Sequence, residues 1–147
     1  MYKRQIFETW PDLAFAGRAD DLHALLAEAD IVSLHVPLTP ETRHLIGAEA
    51  LFAMRRSAIL ENTARGPIDD ERALVEALRA GENAGAALDV FEREPEVEEG
   101  LLGLENVVLT PHLGSATRDT RVAMGMLCVE ALRAVLLDGR RPANAVG

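Results

Sequence analysis

Cysteine is nearly missing: Cys128 stands alone, so no disulfide can form within the chain and a reducing, cytoplasmic setting is expected. Basic charge is in short supply. Lys and Arg number 15 against 24 Asp and Glu, for a formal net charge of −9, and such a surface repels phosphate backbones, so no nucleic-acid partner is expected. Long apolar runs are also lacking. The richest segment, Met124 to Leu137, is broken by Glu130 and Arg133, which leaves less than the roughly 18 uninterrupted residues of a membrane helix. No pair of His or Cys has metal-ligand spacing, so no metal is expected. Neither an internal repeat nor a low-complexity tract is found. What the chain does have is an ordinary globular composition, 48% hydrophobic and 27% charged over 147 residues. A chain of this length can bury about 68–70% of its unfolded surface, enough for one soluble domain with a proper core. Two domains are not expected.

Periodicity alternates between helix and strand. Asp20 and Asp21 precede Leu22, Leu25, Leu26 and Ala29 at helical spacing, and Ile31 to Val36 then forms a short β-branched run. Pro37 and Pro40 stop that strand. Glu41 to Ile46 reads as one helical turn, Ala48 to Met54 as a short helix and Ala58 to Leu60 as a second strand. Asp69 or Asp70 caps a helix carrying Leu74, Val75 and Leu78, which Gly81 ends. A third strand at Ala86 to Val90, an acidic stretch from Glu92 to Glu99, a fourth strand at Val107 to Leu109 and a long helix from about Thr117 to Leu137 complete the order. Cys128, on that helix, is expected in the core, while His23 and His44 are expected to be exposed. Short apolar strands separated by helices imply an α/β fold whose parallel sheet is covered on both faces, with right-handed crossovers.

In such sheets ligands bind beyond the C-terminal strand ends. The residues delivered there are His35, Val36 and Pro37, then Asn62 to Gly66, then Asp89, Phe91 and Glu94, then Thr110, Pro111, His112 and Gly114. Polar and ionisable groups after four successive strands favour a binding site over a core. At the chain ends, Met1 to Gln5 reads as the translated tail of a transposon end used in sequencing libraries. It is taken as a non-native scar, with the natural protein beginning upstream of Ile6. Asp138 to Gly147, without an apolar period, reads as a tail.

Taken in order, "ADIVSLHVPLTPETRHLIG", "ILENTARGPIDDERALVEALRAG", "AGAALDVFEREP" and "NVVLTPHLGSATRDT" resemble the C-terminal half of the D-isomer-specific 2-hydroxyacid dehydrogenases. The nearest flavour is glyoxylate or hydroxypyruvate reductase and phosphoglycerate dehydrogenase. The resemblance covers nearly all of Asp20 to Val146. It implies a partial Rossmann-like sheet of about four strands, binding NAD or NADP and acting on a small 2-keto acid, with the intact protein a homodimer and the tail returning to a substrate domain. By the same resemblance Arg65 is the substrate cation, His112 the acid/base and Glu94 its partner. Asp89 then holds the nicotinamide carboxamide, and His35, Pro37, Thr63, Ala64, Gly114 and Ser115 line the cofactor beside Arg65 and His112. The chemistry is coherent. Reducing a keto acid requires a cation for the carboxylate, a proton donor for the developing alkoxide and a carboxylate that favours the charged donor and raises its pKa.

Departures from the family pattern are equally informative. No GxGxxG followed by an acidic residue some way on is present, and Gly17 stands alone, so the phosphate half of a dinucleotide site is missing. The chain by itself is therefore expected to bind NAD(H) weakly or not at all. Glu61, Asp69 and Asn83 stand where the family usually carries Val or Ile. If buried, each would leave unsatisfied polar groups costing about 1–3 kcal/mol. Two other readings compete: a dinucleotide-sensing corepressor of the C-terminal binding protein type, which shares the "NTARG", "ALDV" and "TPH" segments, and a truncated frame that does nothing alone.

Overall fold

A computed structural model describes residues 20–145. The presumed scar and Gly17 lie outside the described residues. Four strands, β1 (Ile31–Leu34), β2 (Ile59–Asn62), β3 (Gly85–Leu88) and β4 (Val107–Leu109), form one parallel sheet in the order β1-β2-β3-β4. The helices between and around them are α1 (Leu22–Glu28), α2 (Ala48–Ala53), α3 (Glu71–Arg79), α4 (Glu99–Leu102) and α5 (Arg118–Leu136). The α/β class and the four parallel strands match the sequence expectation.

Local chemistry explains the helix starts. Asp21 accepts from the Ala24 amide at 2.7 Å and opens α1. Asp70, rather than Asp69, caps α3, taking the Arg72 and Ala73 amides at 3.1 Å each. Thr117 does the same for α5 through the Thr120 amide. At the end of α3, Gly81 adopts φ 68°, the left-handed stop that glycine permits without strain.

The core occupies one side of the sheet. Leu26 of α1, Ala50 and Leu51 of α2 and Leu74, Val75 and Leu78 of α3 pack against Val32, Leu34, Leu60, Ala86 and Leu88 from the strands. The other face is open among the described residues, where Ile31, Ser33, Ile59 and Val108 are exposed and Glu61 and Ala87 half-buried. The expectation of cover on both faces is thus corrected. Spatial order follows chain order, and successive crossovers of one hand stack their helices on one side of the sheet.

Three further expectations change. The single turn expected over Glu41 to Ile46 is displaced toward Thr39: Thr42 and Arg43 donate to the Thr39 carbonyl, and His44 turns left-handed at φ 51° and ends it. The acidic stretch runs into α4, which buries Leu101. Cys128 is exposed, because α5 turns almost none of its surface toward the core and buries only Ala134. Strand bounds move by one to two residues at β1, β2 and β3. Among the described residues no helix is long and apolar enough to cross a membrane.

The three departures separate. Glu61 is half-buried on the open face. Asp69 and Asn83 are buried, at 1% and 2% exposure, and each keeps one side-chain oxygen without a hydrogen bond. Asn83 gives its amide to the Leu51 carbonyl at 3.1 Å, whereas its oxygen meets nothing.

Candidate active site at the C-terminal edge of the sheet

The loop after β2 is built on Asn62, the last residue of that strand and fully buried. Its Oδ1 accepts from the Ala64 amide at 3.0 Å, and its Nδ2 donates to the Arg65 carbonyl at 2.9 Å and to the Asp69 carboxylate. A short 3-10 turn, Gly66–Ile68, then leads the chain into α3. Gly66 lies against the loop after β3 so closely that a Cβ would stand 1.9 Å from the Phe91 carbonyl carbon. Only glycine fits there, and the contact seats the Arg65 loop on the chain that leads to Glu94. Arg65 itself is exposed and donates through Nη1 to the Ala64 carbonyl at 2.6 Å.

Asp89, just after β3, ties down the loop after β4. Oδ1 accepts from the Thr110 hydroxyl at 2.5 Å and from the Leu113 amide at 2.7 Å, while Oδ2 accepts from the Gly114 amide at 2.9 Å. These bonds, the Thr110 hydroxyl foremost, hold its carboxyl below the usual carboxylate range. Three of its roughly four acceptor positions are thereby committed within the chain.

The secured loop holds His112 at φ 54°, a left-handed conformation that costs a non-glycine residue about 1–2 kcal/mol. His112 Nδ1 lies 2.9 Å from Glu94 Oε2, and Glu94 Oε1 accepts from the Phe91 amide at 3.1 Å. The His112 hydrogen bond, the Phe91 amide and the nearby charge of Arg65 hold the Glu94 carboxyl below its ordinary value. With Nδ1 engaged, Nε2 is the ring nitrogen left for proton exchange with another molecule.

A cleft of about 590 Å³ beyond β1 and β2 is lined by His35, Val36, Pro37, Leu38, Ala64 and Arg65. His35 is steadied by a 2.8 Å contact between its Nε2 and the Ser33 hydroxyl. The structure thus places the sequence-predicted residues in two groups. His35, Pro37, Ala64 and Arg65 share the cleft, whereas Asp89, Glu94, His112 and Gly114 form a hydrogen-bonded cluster on the loops after β3 and β4. Arg65 reaches the second group through its field on Glu94. Thr63 and Ser115 are exposed on the loops of the same edge. Asn62, whose side chain organises the arginine loop, was placed at this edge by the sequence reading but given no role. Its signal was a carboxamide ending an otherwise apolar strand. The lining of the cleft is mixed, with apolar side chains beside a guanidinium and an imidazole. No glycine-rich phosphate cradle accompanies it in this sequence.

Known proteins resemble this chain over most of its length. Residues 3–114 match the family model described as "D-isomer specific 2-hydroxyacid dehydrogenase, NAD binding domain". The glyoxylate reductase of Aeropyrum pernix is 54% identical over 126 residues, covering 85% of this chain and 37% of that protein. A D-3-phosphoglycerate dehydrogenase of Methanocaldococcus jannaschii is 49% identical over 117 residues, 80% of this chain and 22% of that protein. Among solved structures, the NADPH-dependent glyoxylate/hydroxypyruvate reductase of Sinorhizobium meliloti, in complex with NADP and malonate, superposes with a TM-score of 0.79 at 41% identity. That match covers 87% of this chain and 40% of the other. The chain therefore spans two-fifths or less of the length of these relatives.

Proposed function

Because the chain belongs to the D-isomer-specific 2-hydroxyacid dehydrogenase family, we propose that it is the C-terminal portion of an oxidoreductase that interconverts a small 2-keto acid and its 2-hydroxy acid, glyoxylate or hydroxypyruvate first among them. The observation that carries this reading is the Glu94–His112 pair, 2.9 Å apart, on the same sheet edge as the Arg65 loop. NAD or NADP, when bound, supplies or accepts the hydride. Everything else falls to the protein.

Arg65 presents a planar, permanently charged fork suited to a carboxylate and the adjacent carbonyl oxygen. In reduction, His112 gives the developing alkoxide a proton from Nε2, and in oxidation it takes that proton back. Glu94, anchored by the Phe91 amide, fixes the ring through Nδ1. Asp89 holds the loop that carries the histidine and has one acceptor position left for the nicotinamide carboxamide. His35, Pro37, Thr63, Ala64, Gly114 and Ser115 surround the cofactor. The tail from Asp138 returns toward a substrate domain, and the intact protein assembles as a homodimer. Without a glycine-rich phosphate cradle the 147-residue chain binds NAD(H) only weakly.

The test is turnover of glyoxylate and hydroxypyruvate by the polypeptide extended with its upstream coding sequence. His112→Asn lowers kcat by about 10²–10⁴-fold, and Arg65→Gln lowers kcat/KM by about 10²–10³-fold. Full activity in either variant overturns the assignment. Calorimetric titration of the 147-residue chain with NADH yields no saturable heat at micromolar concentrations; micromolar affinity overturns the claim that this chain binds weakly alone.

A further inference from the structure

Asp69 is a buried carboxylate that the proposed chemistry does not use. It closes the 3-10 turn after the Arg65 loop, where its amide donates to the Gly66 carbonyl at 3.2 Å. Its Oδ1 meets Asn62 Nδ2, and its Oδ2 has no partner. Through that one carboxamide Asp69 is linked to both backbone groups that shape the loop, the Ala64 amide and the Arg65 carbonyl.

We propose that Asp69 is a positioning residue for the loop that carries Arg65, setting through the Asn62 carboxamide how Ala64 and Arg65 hold their backbone. A carboxamide is asymmetric. An acceptor at Asp69 requires the NH₂ end of Asn62, which leaves the oxygen end for the Ala64 amide and the second N–H for the Arg65 carbonyl. A proton on the Asp69 carboxyl weakens or reverses that demand, and the loop follows. The inference rests on the reading of Arg65 as the substrate cation for its functional meaning, but not for its geometry.

The groups facing Asp69 make the switch accessible. Glu71 from α3 and Glu92 from the loop after β3 bring like charge, while the Asn62 carboxamide from β2 and the backbone amide of Asp69 itself favour the ion. From the turn before α2, Ile46 contributes backbone alone, bridging to Asp69. Arg43 and His44 of that turn are paired with Glu92, and His44 also approaches Asp70 at 3.8 Å. Burial above all, with the two glutamates, pushes the Asp69 carboxyl up to about 7. The proton therefore comes and goes across the neutral range.

The test is a pH titration of the 147-residue chain by nuclear magnetic resonance, from about pH 5.5 to about pH 8.5. It follows the Asp69 carboxyl carbon, the Asn62 side-chain NH₂ and the Ala64 and Arg65 amides. All four are expected to move with one midpoint near 7. Asp69→Asn, which keeps shape and polarity but cannot ionise, abolishes the midpoint at Ala64 and Arg65. His44→Gln leaves it in place, which separates Asp69 from the imidazole paired with Glu92. Loop amides that stay flat in the wild-type chain, or that titrate unchanged in Asp69→Asn, overturn the proposal. Should the variant not fold, the decision passes to whether the wild-type carboxyl carbon and loop amides share a midpoint. Failure of the substrate reading looks different: Arg65→Gln then leaves turnover intact while the loop still titrates.

Discussion

Two buried polar residues carry most of the stability argument, and they behave differently. Asn83 leaves one oxygen unpaired at every pH. The penalty at Asp69 depends on pH. Its carboxyl ionises near 7 in the folded chain and near 3.8 when exposed, so between these values the folded state binds more protons than the unfolded one. The contribution of Asp69 to stability is therefore full below about pH 4, falls as pH rises toward about 7 and is level above it, a loss of about 4 kcal/mol from this group. Asp69→Val is expected to raise the melting temperature little at the acid end and most above neutrality. Calorimetry across that range checks it, and a gain independent of pH refutes the cause. Glu61→Val, on the half-buried open face, should change stability by no more than about 0.5 kcal/mol.

Among elements, α3 is the one whose start is most exposed to a single change. Asp70 satisfies two of its first amides, and Asp70→Ala should lower stability by about 0.5–2 kcal/mol in a circular-dichroism melt. This helix was legible in the sequence, as were α1, α5 and β4, because caps and apolar spacing are local signals. So were α2 and, to within one or two residues, β1, β2 and β3, whereas three features required tertiary information. The four residues of α4 are too few to show a period, and the turn at His44 follows from a left-handed residue that composition does not reveal. Apolar strands show that something covers them but not on which side, so the open face was invisible. At the site, the motif residues could be placed at one edge from the strand order alone. The bonds from Asp89 to Thr110, Leu113 and Gly114, and those from Asn62 to its loop, join residues brought close only by folding.

The whole molecule displays an unusual amount of apolar surface. Ile31, Ile59 and Val108 lie open on the sheet, and Val122, Met124, Met126, Leu127, Val129, Leu132, Val135, Leu136 and Leu137 are exposed along and just beyond α5. Patches of this kind drive association, and a net charge of −9 opposes it at low salt more than at high. Light scattering should show mass rising with concentration, and rising more steeply as salt is added. A monomer at all concentrations and salt levels contradicts this.

The contact between Gly66 and the Phe91 backbone carries an evolutionary consequence. With no space between the two backbone segments, a side chain cannot be inserted there to reshape the loop that carries Arg65. Variation that reshapes this edge of the sheet would have to accumulate elsewhere, leaving this seam as its fixed part.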